Sequence, residues 1–240
     1  MVEKLIIYKN IYSHAFVGGG ITLGIIKQYA DRDWVLQSVH EAIYGFIDGN
    51  IENVTNNKAT YVRDYAFYQH QQLTSANISS ATSIGNYSFY KCPALTSVNI
   101  PQTTSIGTFA FKGCSALTEA NYPVATTIAN GAFDECTTLS SVNLPLLTTV
   151  EPLTFRKCEA LTTIDLPAAT TIKTQAFYSS GLTSLTLRSN TVCALENVDA
   201  LTFTPIEEGT GYIYVPSNLV DSYKTASGWS EYANQIKAIV

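Results

Sequence analysis

Apolar positions recur along this chain with a single long period. Phenylalanine returns every 22 residues, at Phe67, Phe89, Phe111, Phe133, Phe155 and Phe177, and a small residue precedes each one: Ala66, Ser88, Ala110, Ala132, Thr154 and Ala176. Three positions after the phenylalanine stand Cys92, Cys114, Cys136 and Cys158, with His70 and Ser180 in that slot of the first and last copies. Six positions after it stand Leu73, Leu95, Leu117, Leu139 and Leu161, and then Leu182, one residue early because the sixth copy is shorter. Ile84, Ile106, Ile128, Val150 and Ile172 each lie five residues before the next phenylalanine. Self-similarity at such a period marks an array of stacked units, none of which can bury its apolar face alone.

Each leucine opens an L-x-x-V-x-L run such as Leu95-Thr-Ser-Val98-Asn-Ile100. Val98 and Ile100 share one face of an extended chain while Ser97 and Asn99 share the other, so the run predicts a short half-buried strand. Pro101, Pro123, Pro145 and Pro167 follow four of these runs and stop them at equivalent points, because proline cannot donate to a ladder. Identical stops in copies that all run the same way predict parallel strands in register, joined by right-handed crossovers, with coils about 4.8 Å apart.

An array of this kind needs covered ends. Ile51-Glu-Asn-Val54 keeps the Leu-to-Ile spacing of the later copies to Val62 and predicts a degenerate strand ahead of the first clear copy. Upstream, Asp33 can cap a helix whose Val35, Val39, Ile43 and Phe46 form one stripe, with Gly49 at its end. Downstream, Tyr212-Ile-Tyr-Val215-Pro216 reads as a last strand. Ser217 or Asn218 then caps a helix presenting Leu219, Val220 and Tyr223, and Gly228 separates it from a second helix carrying Tyr232, Ala233 and Ile236. Residues 192 to 211 are the least regular and are expected to form a long connecting loop. The fold class expected is α+β, a solenoid with a parallel sheet on one face and helical N- and C-terminal caps. Residues 1–50 would form the N-terminal cap region, 51–191 the array, and 192–240 a loop plus strand-helix cap.

The pattern Ile106-Gly-x-x-Ala110-Phe111-x-x-Cys114-x-x-Leu117-x-x-Ala120-x-x-Pro123 resembles the bacterial BspA-like, or Treponema-type, leucine-rich repeat, over roughly residues 51 to 191. The tail from Ile213-Tyr-Val-Pro216 through Tyr223-Lys-x-Ala226-x-x-Trp229 is similar to the strand and helix that often end such arrays. The resemblance implies a leucine-rich-repeat solenoid used for surface attachment, host-protein binding or, in prophage-borne relatives, tail-associated recognition. It implies a place at the cell surface, in the secreted fraction or on a virion, and no catalytic site. The chain departs from the pattern at His70 in the cysteine slot, at the non-glycine residues Arg63, Ala129, Glu151 and Lys173, and in the shortened sixth copy.

Composition narrows the partners. The 240 residues are 46% apolar, ample for a core in one or two domains. Only 14% are charged, against about 25% in an average soluble protein, so hydroxyls supply much of the polarity. With a net charge of −5 and no run of Lys or Arg, no nucleic-acid partner is expected. The apolar stretch from Ala15 to Ile26 is cut by Gly18, Gly19, Gly20 and Gly24 and falls short of the roughly 18 residues of a membrane span. Met1-Val-Glu-Lys has neither a basic n-region nor a small-residue cleavage site, so no export signal is expected there.

Candidate chemistry is thin. The phased cysteines admit three readings: inert thiols packed as small hydrophobes, a partial disulfide, or a metal site. The first is preferred, because ladder side chains lie side by side and do not face one another. No C-x-x-C occurs and Cys193 is out of phase. Gly18-Gly-Gly20-x-x-x-Gly24 faintly resembles a dinucleotide turn, but no βαβ unit follows, and a plain turn or close-packed helix end fits better. His14, His40 and His70 lack ligand spacing, His40-Glu41 lacks the second histidine of a zinc-protease helix, and G-x-S-x-G is absent. No cofactor or metal is expected, and no enzyme.

Two surfaces remain as candidates. The outward strand positions read Ser75/Asn77, Ser97/Asn99, Glu119/Asn121, Ser141/Asn143, Thr163/Asp165 and Ser184/Thr186, an asparagine ladder beside a mainly hydroxyl one. Stacked amides can simply strengthen the sheet; arrayed amides and hydroxyls also suit peptide backbone or sugar. Aromatics gather instead near the phenylalanine turn of the early copies, at Tyr61, Tyr65, Tyr68, Tyr87, Tyr90 and Phe109, and fade along the rod. That patch either packs beneath the N-terminal lid or forms an adhesive surface or self-association seam. The expected function is recognition or adhesion toward a protein or glycan, through Ser97, Asn99, Glu119, Asn121, Asn143 and Asp165 or through Tyr65, Tyr68, Tyr87 and Tyr90. The rivals are a structural spacer, and an enzyme with its site in residues 1 to 50 or 192 to 211.

Overall fold

A computed structural model of the chain describes residues 52–56 and 59–240. The expected helix over Asp33 to Gly49 and the glycine-rich turn at Gly18 to Gly24 lie outside the described residues. Two rows of parallel strands wind along the array. The longer row is β1 (Asn53–Thr55), β2 (Ser75–Asn77), β4 (Ser97–Asn99), β6 (Glu119–Asn121), β8 (Ser141–Asn143), β10 (Thr163–Leu166), β12 (Ser184–Leu187), β14 (Tyr212–Val215) and β15 (Ile236–Ala238). The shorter row is β3 (Ser83–Ile84), β5 (Ser105–Ile106), β7 (Thr127–Ile128), β9 (Thr149–Val150), β11 (Thr171–Ile172) and β13 (Ala194–Leu195). Register follows the repeat: Ser75 pairs with Ser97 and Ser83 with Ser105. The degenerate first strand is present, with Val54 opposite Ala76.

A third set of inter-coil bonds runs through the phenylalanine turn. The N–H groups of Tyr87, Phe89 and Lys91 donate to the carbonyls of Thr108, Ala110 and Lys112 in the next coil, at 2.9, 2.7 and 2.7 Å. Alternate residues thus reach outward, which requires a left-handed backbone two residues before and two residues after the phenylalanine. Tyr65, Tyr87, Phe109, Leu153 and Gln175 hold the first position, and Gln69, Lys91, Glu135, Lys157 and Ser179 the second, all with φ between 52° and 62°. Such a conformation costs about 1–2 kcal/mol in a residue with a side chain. Each inter-coil hydrogen bond returns about 1 kcal/mol net, so the turn holds its shape only while a neighbouring coil accepts. Gly131 needs its missing side chain for a further reason: a Cβ there would overlap the Phe109 ring.

Inside, the six phenylalanines form one column. Successive ring centroids are 5.0, 5.1, 5.3, 5.7 and 5.5 Å apart and the rings are tilted by no more than 17°, an offset stack. The Leu, Ile and Cys rows surround it, all buried. The four phased thiols are unbridged, and each donates to the carbonyl of the phenylalanine one coil back: Cys92 to Phe67 (2.8 Å), Cys114 to Phe89 (3.0 Å), Cys136 to Phe111 (3.1 Å) and Cys158 to Phe133 (3.2 Å). They act as small core groups with one polar duty.

The C-terminal third differs from expectation. Residues 192 to 211 are not a plain loop. Leu195 in β13 pairs with Ile172, the Phe177 N–H donates to the Ala200 carbonyl, and the Ser179 N–H to that of Thr202. Phe203 has the left-handed φ of the second turn position. Ala200 and Leu201 therefore stand where an Ala-Phe pair would, and the segment is a further coil with leucine in place of the aromatic. Its spacing from Phe177 is lengthened from 22 to 24 residues by the excursion at Arg188 to Val192.

The expected helical C-terminal cap is also mostly replaced. Helix α1 (Val220–Thr225) is six residues long, and the second predicted helix is a single 3-10 turn, Trp229–Tyr232. Ile236 then enters β15 and pairs with Ile213, so β14 is not the last strand. Burial explains the outcome. The Trp229 indole donates to the Cys193 carbonyl (2.6 Å), the Tyr223 hydroxyl accepts from the Cys193 N–H (2.8 Å), and the Tyr232 hydroxyl donates to the Val198 carbonyl (2.9 Å). These three side chains clamp the short segment onto the extra coil, leaving no room for a longer helix.

Burial pushes the thiols of Cys114, Cys136 and Cys158 upward, and that of Cys193 to about 12. All five cysteines are buried, so a thiol reagent at pH 8 should find none of them in the native protein within minutes and all five after denaturation. His70 is buried, its Nε2 has no partner, and desolvation holds its pKa below 6.5. The unfolded chain then takes up a proton that the folded one resists, so stability is full above about pH 6.5 and is lost as pH falls toward the folded value. The variant His70→Cys should flatten the pH dependence of the melting temperature between pH 7 and 5.

Candidate recognition face

The strand face is built by alternation. In β4, Val98 turns toward the core while Ser97 and Asn99 are exposed, and β6 repeats this with Ala120 inside and Glu119 and Asn121 outside. The structure places Ser97, Asn99, Glu119, Asn121, Asn143 and Asp165 on this one face. Amides pair along it: Asn99 Nδ2 donates to Asn77 Oδ1 and Asn143 Nδ2 to Asn121 Oδ1, both at 2.9 Å. Asp165 takes over the row in the next copy and accepts a two-oxygen contact from Arg188 Nε, at 2.8 and 3.1 Å.

The amide ladder has a gap that the repeat alone does not reveal. The face is not one continuous ladder: β1, β2 and β4 form one sheet, β6 and β8 a second, and β10, β12, β14 and β15 a third. At the first break no bond joins Asn121 to Asn99, and a cleft of about 290 Å³ opens there, lined by Thr96, Ser97, Val98, Asn99, Pro101, Thr118, Glu119 and Asn121.

The tyrosines occupy a different edge of the coil. Tyr65 stacks on Tyr87 at 5.1 Å and Tyr68 on Tyr90 at 4.9 Å, and Tyr87 meets Phe109 at 5.5 Å. Each row is therefore spent largely on itself. It ends because the Phe109 ring occupies the space above Gly131 and because Lys112, Asp134 and Arg156 take over the position after the phenylalanine. Asp134 is fully buried and accepts from Lys112 Nζ (2.7 Å) and from Arg156 Nε and Nη2 (2.8 and 2.7 Å). Its carboxylate holds the Arg156 guanidinium above its ordinary pKa. Sequence reasoning passed over this cluster, although opposite charges at 22-residue spacing are its signature. Among the described residues no group of His, Cys, Asp and Glu is arranged to hold a metal ion, and no helix is long and apolar enough to cross a membrane.

This geometry can be set beside known proteins. A family signature described as BspA type leucine rich repeat region matches residues 42–145 and 82–204, in six copies. The chain belongs to the BspA-type leucine-rich repeat family. The second matched segment ends within the extra coil, in keeping with its geometry. A leucine rich cell surface protein from Faecalibacterium prausnitzii is similar at 27% identity and a TM-score of 0.61, over 69% of this chain and 48% of that one. A leucine-rich repeat protein from Bacteroides ovatus shares the fold at 21% identity and a TM-score of 0.53, over 70% of this chain and 50% of that one. This BspA-type chain thus spans about half the length of both structures. No curated protein matches it.

The buried charge cluster yields a direct test. Asp134→Ala leaves Lys112 and Arg156 partly buried with only their longer contacts to Glu135, at 3.7 and 3.6 Å, and should cost about 2–3 kcal/mol in chemical denaturation. Replacing all three residues by apolar side chains of similar size should recover most of that loss.

Proposed function

We propose that this chain is a non-catalytic recognition or adhesion module at a bacterial cell or phage surface, and that its strand face makes the contact. The observation that carries the reading is the division of labour within each coil: the core consumes the inward half of every strand, and the outward half presents amides, hydroxyls and carboxylates on the surface. The tyrosine rows support it less well, since they are stacked on one another. Family membership and the likeness to a cell surface protein of Faecalibacterium prausnitzii agree with a surface role. A protein or glycan partner fits such a face, because extended arrays of donors and acceptors match peptide groups or sugar hydroxyls. A spacer role is the alternative, and it would leave the face without a saturable ligand.

The test is a binding screen of the 240-residue protein against host-protein and glycan arrays, followed by variants. Changing Asn99, Asn121 and Asn143 together to alanine should weaken binding at least about tenfold, the loss expected for several polar contacts, with the fold retained by circular dichroism. If Tyr65, Tyr87 and Tyr90 changed together abolish binding and the asparagine set does not, the contact lies at the turn edge.

A further inference from the structure

We infer that the cleft between β4 and β6 is a subsite that takes a side-chain carboxamide from a basic peptide segment of the partner. This inference rests on the reading of the strand face given above. Its physical basis is the missing rung. In the ladder, the amide nitrogen of each asparagine donates to the amide oxygen one copy back, as Asn99 does to Asn77 and Asn143 to Asn121. At the break the next bond of that series, from Asn121 to Asn99, is absent. Asn99 has its nitrogen engaged and its oxygen left over; Asn121 has its oxygen engaged and its nitrogen left over. One wall of the cleft therefore offers an acceptor and the other a donor, and both residues line it.

A group that satisfies both must donate on one side and accept on the other; a carboxylate or an ammonium cannot, a hydroxyl does so at a single oxygen, and an amide does so with separate nitrogen and oxygen atoms, as each rung of the ladder itself does. The volume of about 290 Å³ is roughly that of ten waters in the liquid, at about 30 Å³ each, enough for one side chain with its solvent. Two sources present amides in this way, peptides and N-acetylated sugars. Glu119 decides between them. It is the one carboxylate in a position held by Ser75, Ser97, Ser141, Thr163 and Ser184 in the other copies, and it lines the same cleft. A carboxylate beside the amide site favours a cationic neighbour on the ligand, which a Lys or Arg of a peptide supplies and a neutral acetamido sugar does not. Val98 and Pro101 complete the wall with apolar surface for the aliphatic stem of such a side chain.

The experiment uses the full chain, labelled with nitrogen-15, and the probe acetyl-Gly-Asn-Lys-Gly amide. The side-chain amide resonances of Asn99 and Asn121 should shift on titration, and the same probe with Asp in place of Asn should bind about tenfold more weakly, as when a polar pair is left unmatched. Asn121→Asp should cause a similar loss, and Glu119→Gln a few-fold loss confined to the lysine-bearing probe. Asp221→Asn, exposed in α1 and outside the strand face, should leave affinity unchanged. The inference is overturned if neither resonance moves at millimolar probe, if N-acetylglucosamine binds there as well as the peptide does, or if Asp221→Asn weakens binding as much as Asn121→Asp. Those results leave the broader strand-face reading standing, since that reading fails only when the triple asparagine variant keeps its partner.

Discussion

Everything in this molecule depends on contact between one coil and the next. A single coil has too few apolar atoms to bury, and its phenylalanine turn carries two left-handed residues that are unfavourable in isolation. Stacking resolves both problems at once. The ring of Phe111 is covered by Phe89 on one side and Phe133 on the other, and the same approach brings the turn amides within reach of the next coil's carbonyls. The phased cysteines belong to this economy of space: each is buried beside the column and gives a second donor to a phenylalanine carbonyl that already accepts the N–H three residues on.

The same constraint governs which features the sequence reveals. Rows were legible wherever a position is repeated with one residue type, as with Phe, Cys, Leu and the β-branched residues, because their shared burial leaves a period. The left-handed turn was not legible, since its positions hold Tyr, Phe, Gly, Leu and Gln in different copies; the neighbouring coil enforces that backbone, and no local signal announces it. The extra coil at Val192 to Thr204 was hidden by Leu201 in the aromatic slot and by a longer spacing. Tyr232, Ala233 and Ile236 fit a helical face in sequence, whereas in the structure Ile236 adds to the sheet beside Ile213.

Of the candidate site, the membership of the strand face was readable from alternation, but its interruption was not. Ser97-Val-Asn99 and Glu119-Ala-Asn121 look as compatible as any neighbouring pair, and only three-dimensional packing shows that their ladders part. The amide row shows how one set of side chains serves two ends. Where the rows meet, amides consume one another and reinforce the stack, as at Asn77 and Asn99. Where the rows separate, the same chemistry is turned outward. The tyrosine edge shows the opposite case, a cluster conspicuous in sequence whose rings are occupied with each other.

The turn geometry has a consequence for how such a chain can change length over generations. Because the left-handed turn residues from Tyr65 to Ser179 are held by the coil after them, adding or deleting a few residues inside a coil throws an entire set of rungs out of phase, and the excursion at Arg188 to Val192 is accommodated only by bulging outside the rows. Duplication or loss of a whole unit disturbs nothing except the count. Genetic events that copy complete repeats are thus the ones this architecture passes without redesign, and a lineage can alter the reach of the rod while leaving its cross-section untouched.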